Sequence, residues 1–290
     1  MRCGARDIAR LTEMLRQLAR VVRVVRLRHL LKLIRHPRAE IAAFKYHYRR
    51  VPERTFVAFL AGIPPAAASI DRVYADLAAH AALSARLRSA LAVHPNGAGG
   101  QMTSEYSAIY ALVRLLRPQH VVETGVADGA TSAYILQALE DNGGGHLYSI
   151  DVPSERLPPG KPPGWTIDPA LRHRWTLRIG PSDDLLRPLL NELGSIDVFL
   201  HDSLHTYDNM LFEYRTAWPF LRANGLFLSH DVGRNTAFFD FAREVGKRWG
   251  DWRVYEVLGG FRVTDQRDQS RVRRNAAQWS TSSARPVNQT

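Results

Sequence analysis

Val121-Val-Glu-Thr-Gly-Val-Ala-Asp-Gly-Ala-Thr-Ser132 reads as a buried strand, a glycine turn and the start of a helix. Glycines at 125 and 129 let a backbone come close to a ligand at the carboxyl edge of a sheet. Thr131 and Ser132 fall at the helix start, where amides and hydroxyls can hold a carboxylate. The spacing is G-x-x-x-G, and the G-x-G-x-x-G that wraps a pyrophosphate is missing.

Outward from this turn, short apolar strands alternate with helical stretches. Strands are expected at 120–124, 146–151, 174–180, 196–201 and 225–230, and helices near 130–141, 182–193, 206–222 and 236–249. That alternation predicts an α/β, Rossmann-like doubly wound sheet of five parallel strands with helices on both faces. Two more strands, Arg253–Leu258 and Phe261–Thr264, are separated only by Gly259-Gly260, which predicts an antiparallel hairpin at the end of the sheet. Pro153 to Pro169 holds six prolines and reads as a loop at the mouth of a site. Thr103-Ser-Glu-Tyr106 is a cap for a helix that Pro118 closes.

The charge is uneven. Residues 1–50 hold 14 Lys and Arg against three acids, a net charge of +11, while the remaining residues hold 25 of each sign. Leu11, Leu15, Leu18, Val22 and Val25 recur at steps of four and three, which predicts a basic amphipathic helix over about 10–34. Such a helix packs on the body or on another copy, or lies on an anionic membrane surface. A matching basic surface is absent from the rest of the chain, which argues against nucleic acid as a partner. Residues 51–100 read as a helical extension ending in a glycine-rich loop at 94–100, and 265–290 as a polar disordered tail. Cys3 is the single cysteine, so neither an internal disulfide nor a thiolate metal site is available. Arginines interrupt every N-terminal apolar run, which points away from a secretory signal or membrane span and toward a cytoplasmic chain, peripheral at the membrane if residues 1–50 dock there.

Leu147-Tyr-Ser-Ile-Asp151 ends the second strand on an acid 26 residues after Gly125, a placement suited to both ribose hydroxyls of a nucleoside. Ile196-Asp-Val-Phe-Leu-His-Asp-Ser-Leu-His-Thr-Tyr207 runs a buried strand straight into Asp202 and His205. Gly225-Leu-Phe-Leu-Ser-His-Asp231 delivers His230 and Asp231 at the end of the neighbouring strand. An imidazole there can take a proton from a hydroxyl near neutral pH, which makes His205 and Asp202 the candidate catalytic pair. Alternatively Asp202, His230 and Asp231 can hold Mg²⁺ or another divalent ion.

The run E-T-G-V-A-D-G-A-T-S, then S-I-D, D-V-F-L-H-D-S-L-H-T-Y and L-F-L-S-H-D-V resembles the family 24 group of class I S-adenosylmethionine-dependent methyltransferases. That group is related to metal-dependent O-methyltransferases that modify sugars on natural products. The resemblance covers about 101–264 and implies that Glu123, Gly125, Gly129 and Ser132 line the S-adenosylmethionine pocket, that Asp151 binds the ribose, and that Asp202 and Asp231 are metal or catalytic acids. Gly180-Pro181-Ser182 stands where relatives often carry a Gly-Asp pair beside the adenine, and His230-Asp231 where many carry Asp-Asp. The implied reaction is methylation of a hydroxyl on a sugar, glycolipid or small natural product. A nicotinamide-dependent oxidoreductase is the rival enzyme, disfavoured by the glycine spacing and the terminal hairpin. A catalytically silent module that binds a membrane or partner is the other rival, disfavoured by the intact ligand loop.

Overall fold

The computed structural model describes residue 46 and residues 49–92, 104–154 and 157–264. The chain divides into two units, Met1–Tyr48 and Arg49–Thr290. Only Tyr46 of the first is described, and it is helical. The amphipathic helix expected over 10–34, the glycine-rich loop at 94–100 and the tail from 265 lie outside the described residues. No helix among the described residues is long and apolar enough to cross a membrane.

The second unit opens with α1 (Glu53–Ala61), α2 (Ala68–Ala79), α3 (Ala81–Ala92) and α4 (Glu105–Leu116). Alternation then sets in, with β1 (His120–Thr124), α5 (Ala130–Asn142), β2 (His146–Asp151), β3 (Trp175–Ile179), α6 (Ser182–Leu193), β4 (Ile196–His201), α7 (Tyr207–Ala217), β5 (Leu221–Ser229) and α8 (Ala237–Glu244). The strands β6 (Trp252–Tyr255) and β7 (Leu258–Arg262) complete it.

All seven strands form one sheet in the order β3-β2-β1-β4-β5-β7-β6. The first five are parallel, and β7 runs antiparallel to both β5 and β6. The strand order reverses between β1 and β4, and open α/β sheets bind ligands in the crevice outside the carboxyl ends at that point. Every residue of β4 is buried, as expected for a central strand covered on both faces.

Side chains alternate across the sheet, so Leu226 and Leu228 face one layer and Phe227 the other. On the first side they join Phe56 and Leu60 of α1, Ile109 and Leu112 of α4, and Ile135 of α5. On the second side Phe227 packs against Tyr214, Trp218, Phe238, Phe241 and Phe261 at ring separations of 4.7 to 6.4 Å. The α1 helix lies within the helical extension expected over 51–100, and its Leu60 and the nearby Val73, Leu83 and Leu87 belong to this same core. The helical extension before residue 92 is therefore part of the fold's own packing.

Several local expectations change, among them the end of α8, which stops at Glu244 where 249 was expected, and the start of β5, which falls at Leu221 where 225 was expected. Gly259-Gly260 is not the hairpin turn: both lie inside β7, and the reversal falls at Glu256-Val257, where Glu256 has φ +47°. The reason is space, since a Cβ on Gly259 would meet Phe238 and Val232 at 2.8 Å and one on Gly260 would meet Leu228 at 2.8 Å. Ser104 precedes α4 in a helical conformation and its side chain makes no cap bond. The helix α7 stops at Ala217, five residues short of expectation, because Trp218-Pro219-Phe220 tightens into a 3-10 turn that leads into β5.

Candidate active site

Asp202 and His230 follow directly on β4 and β5, and the sheet's hydrogen bonding continues through their amides. The Asp202 amide donates to the Thr124 carbonyl and the His230 amide to the His201 carbonyl, each at 2.8 Å. Both Cα positions are thus set by the sheet. His205 is carried by the short loop before α7, whose cap residue Thr206 accepts a bond from the Asn209 amide.

Three donor atoms converge at this edge. Nδ1 of His230 lies 3.1 Å and Nε2 of His205 lies 3.6 Å from Oδ1 of Asp202. All three lie within 4.8 Å of one another, a separation at which they can share a metal ion. Among the described residues neither of these two nitrogens has an aligned hydrogen-bond partner. Asp231, expected among the metal donors, is not part of the convergence. Its carboxylate is engaged by Arg234 at 2.6 Å and faces the opposite nitrogen, Nδ1, of His205 at 3.4 Å. The convergent set is Asp202, His205 and His230.

Burial opposes the charge on Asp202, but the His230 and His205 imidazoles beside it hold its carboxyl well below the usual carboxylate range. Burial likewise opposes the charge on His230, and Asp202, Glu105 and Asp231 outweigh it and push the imidazole up to about 10.

On the β1 side, Gly125 has φ +85°, and a Cβ there would meet the Asp202 carbonyl oxygen at 2.2 Å. A Cβ on Gly129 (φ +95°) would meet Cα of Gly164 at 2.7 Å. The close approach these glycines allow on that side is of chain to chain: Gly125 brings the turn against the Asp202 backbone, and Gly129 brings it against the proline-rich loop. That loop is pinned to the turn by Gly164 N–H to Ala127 O at 2.8 Å and by Trp165 Nε1–H to Asp128 at 2.6 Å. Asp151 accepts the amides of Val126 (3.0 Å), Ala127 (2.7 Å) and Val152 (2.8 Å), so its carboxylate ties the turn to the end of β2. Ser132 is fully buried and donates to Oε2 of Glu123 at 2.6 Å, and Ser149 donates to the same oxygen at 2.9 Å. Burial pushes the Glu123 carboxyl up to about 8 against those two bonds, and its Oε1 has no partner among the described residues. Ser182, half-buried, opens α6 at the same edge of the sheet.

Two acids escaped the sequence reading. Glu213 is fully buried on α7 and accepts bonds from Thr124 and His201 at 2.5 Å and from Ser203 at 2.7 Å, so it ties β1, β4 and the Asp202–Thr206 loop together. Its signal was an acid on the apolar face of α7, beside Met210, Tyr214 and Ala217. Glu105 is 3% exposed at the start of α4 and meets Nε2 of His230 at 3.1 Å. An acid in a helix's first turn ordinarily reads as a dipole partner, so nothing in the sequence marked it.

Residues 122–232 match the family model of a methyltransferase domain, family 24. No curated protein matches the chain. Among solved structures, the chain is similar to the SAH-bound methyltransferase PaMTH1 of Podospora anserina, with 16% identity over 70% of this chain and 98% of that one and a TM-score of 0.48. The O-methyltransferase TomG of Streptomyces achromogenes, in complex with SAM, shares 16% identity over 62% and 90% of the two chains, with a TM-score of 0.47. An O-methyltransferase from Bacillus cereus, in complex with SAH, shares 13% over 68% and 91%, with a TM-score of 0.45.

Proposed function

We infer that this chain, whose residues 122–232 form a methyltransferase domain of the family 24 type, moves a methyl group from S-adenosylmethionine to a hydroxyl. One observation carries the reading: His205 stands at the carboxyl edge of the sheet with Asp231 on its Nδ1 side and its Nε2 open toward Asp202 and His230. A carboxylate behind an imidazole orients the ring and stabilises its charged form. The acceptor oxygen attacks the methyl carbon in line, the carbon–sulfur bond breaks with its electron pair going to sulfur, and the hydroxyl proton passes to Nε2 of His205. Positioning supplies most of the acceleration. Asp151, with three of its about four lone-pair sites taken by amides, keeps one for a ribose hydroxyl. Glu123, Ser132 and the Gly125–Gly129 turn border the methionine end, and Ser182 borders the adenine. The acceptor is a sugar, glycolipid or small natural product.

A divalent metal fits the same cluster, because the two nitrogens without hydrogen-bond partners face a carboxylate oxygen. Asp202, His205 and His230 would hold it, and two imidazoles favour borderline ions such as Mn²⁺, Co²⁺ or Zn²⁺ over Mg²⁺. When bound, such an ion supplies positive charge that favours ionisation of an acceptor hydroxyl.

Calorimetric titration tests the reading. The protein is expected to bind S-adenosylhomocysteine and not NAD, and Asp151→Ala to weaken that binding several-fold or more. Micromolar NAD binding with no S-adenosylhomocysteine binding would overturn it. In the metal-free case His205→Ala lowers turnover by ~10²-fold or more at unchanged cofactor affinity. Loss of activity to a chelator, with restoration by a divalent ion, would instead assign His205 as a ligand.

A further inference from the structure

We propose that Glu105, which lies outside the matched segment, is a positioning residue that keeps a proton on Nε2 of His230, so that Nδ1, the nitrogen facing Asp202 and His205, is the one that would give up its hydrogen to a metal. An imidazole has two unlike nitrogens, and a ring placed at a site needs a partner to decide which one it offers. A carboxylate only accepts, so the Nε2 facing Glu105 at 3.1 Å carries a hydrogen. The other nitrogen faces a second carboxylate, Oδ1 of Asp202, also at 3.1 Å, and that is the place a bound metal would take. Glu105 is itself 3% exposed, so water does not compete well for its oxygens.

Both partners sit on stiff supports. His230 is fixed through its amide to the His201 carbonyl, and Glu105 begins α4, whose Ile109 and Leu112 are buried in the core beside β1. The chain crosses 125 residues to make this contact. The pairing of a carboxylate with the outward nitrogen of a ligand imidazole generally raises metal affinity, and losing it costs about 10–100-fold. The metal half of this inference rests on the metal-holding form of the proposed function; the Nε2 proton does not.

Nitrogen NMR on the full chain labelled at histidine reads the proton directly, with the His230 signal assigned by its absence in His230→Asn. The Nε2 proton of His230 is expected to be present and protected from exchange in the wild type and in Glu105→Gln, whose amide oxygen still accepts it. In Glu105→Ala the protection is lost. A wild-type His230 with a bare or unprotected Nε2 overturns the proposal. Calorimetry with Zn²⁺ is the second readout: Glu105→Ala is expected to bind it about 10–100-fold more weakly, and Glu105→Gln to recover most of the loss. Equal zinc affinity in the wild type and Glu105→Ala overturns the proposal as well. A wild type that takes up no zinc removes the metal-holding reading alone, and the Nε2 proton then decides the role of Glu105.

Discussion

Glu123 is fully buried on β1, and its carboxyl is pushed from 4.5 up to about 8. An acid whose folded value is raised binds its proton more tightly in the folded state. Its contribution to stability is full below about pH 4.5 and is lost as pH climbs through about 8. His230, raised from 6.5 to about 10, acts in the same direction over a higher window. From about pH 4.5 to 6.5 Glu123 therefore acts without His230. Unfolding free energy should fall there by up to about 1.4 kcal/mol per pH unit from this group. Urea denaturation of Glu123→Gln should show that slope removed below pH 6.5, with the His230 part persisting above. A variant with the wild-type slope would mean that Glu123 ionises in the folded protein. Asp202 and His230 were legible as site residues because they follow apolar strands without a break, and His205 because it stands three residues beyond Asp202. Glu105 was not, since its meaning depends on a ring 125 residues away.

The turn between β1 and α5 shows what an element requires of its residues. Gly125 has a left-handed φ, and the backbone of Asp202 occupies the place of a side chain. For Gly125→Ala the backbone penalty of about 1–2 kcal/mol adds to an overpacking cost of about 1–3 kcal/mol. Gly143, at the end of α5, also has positive φ, but nothing lies within 4 Å of the Cβ it would gain. Gly143→Ala should cost only the backbone part, about 1–2 kcal/mol. Denaturant midpoints of the two variants compare these costs directly, and equal losses would refute the role given to Asp202's backbone. The parallel strands were readable to within a few residues because uninterrupted apolar runs between turn residues mark buried strands. The hairpin's turn was not, because Gly259-Gly260 looks the same whether glycine is needed for a turn or for room beneath Phe238 and Leu228.

Across the whole molecule the charge is divided. Residues 1–48 hold 12 Lys and Arg against three acids, and residues 49–290 hold 27 against 25. We propose that the first segment docks on anionic lipid. The intact chain should sediment with phosphatidylserine vesicles and be released as salt rises, while a chain starting at Arg49 should stay in the supernatant. Arg49 is the right boundary because its guanidinium lies 5.3 Å from the rings of Trp249 and Trp252, and Val51 bonds to the Val254 carbonyl at 2.9 Å. The shortened chain should melt cooperatively and retain S-adenosylhomocysteine binding. Vesicle binding by both chains alike would end the lipid proposal.

The order and polarity of the elements, the parallel sheet with its antiparallel close, and the strand ends that bear chemistry are properties of local sequence. Periodicity, glycine and proline each act within a few residues, so they can be read in one dimension. Tertiary structure alone decided which side chains share a site. Asp231 looked equivalent to His230 in the sequence, yet its carboxylate pairs with Arg234 and faces the far nitrogen of His205, outside the three donors that meet at Asp202. Glu105 and Glu213 entered through burial and direction, because the partner of a carboxylate is set by what the fold packs against it.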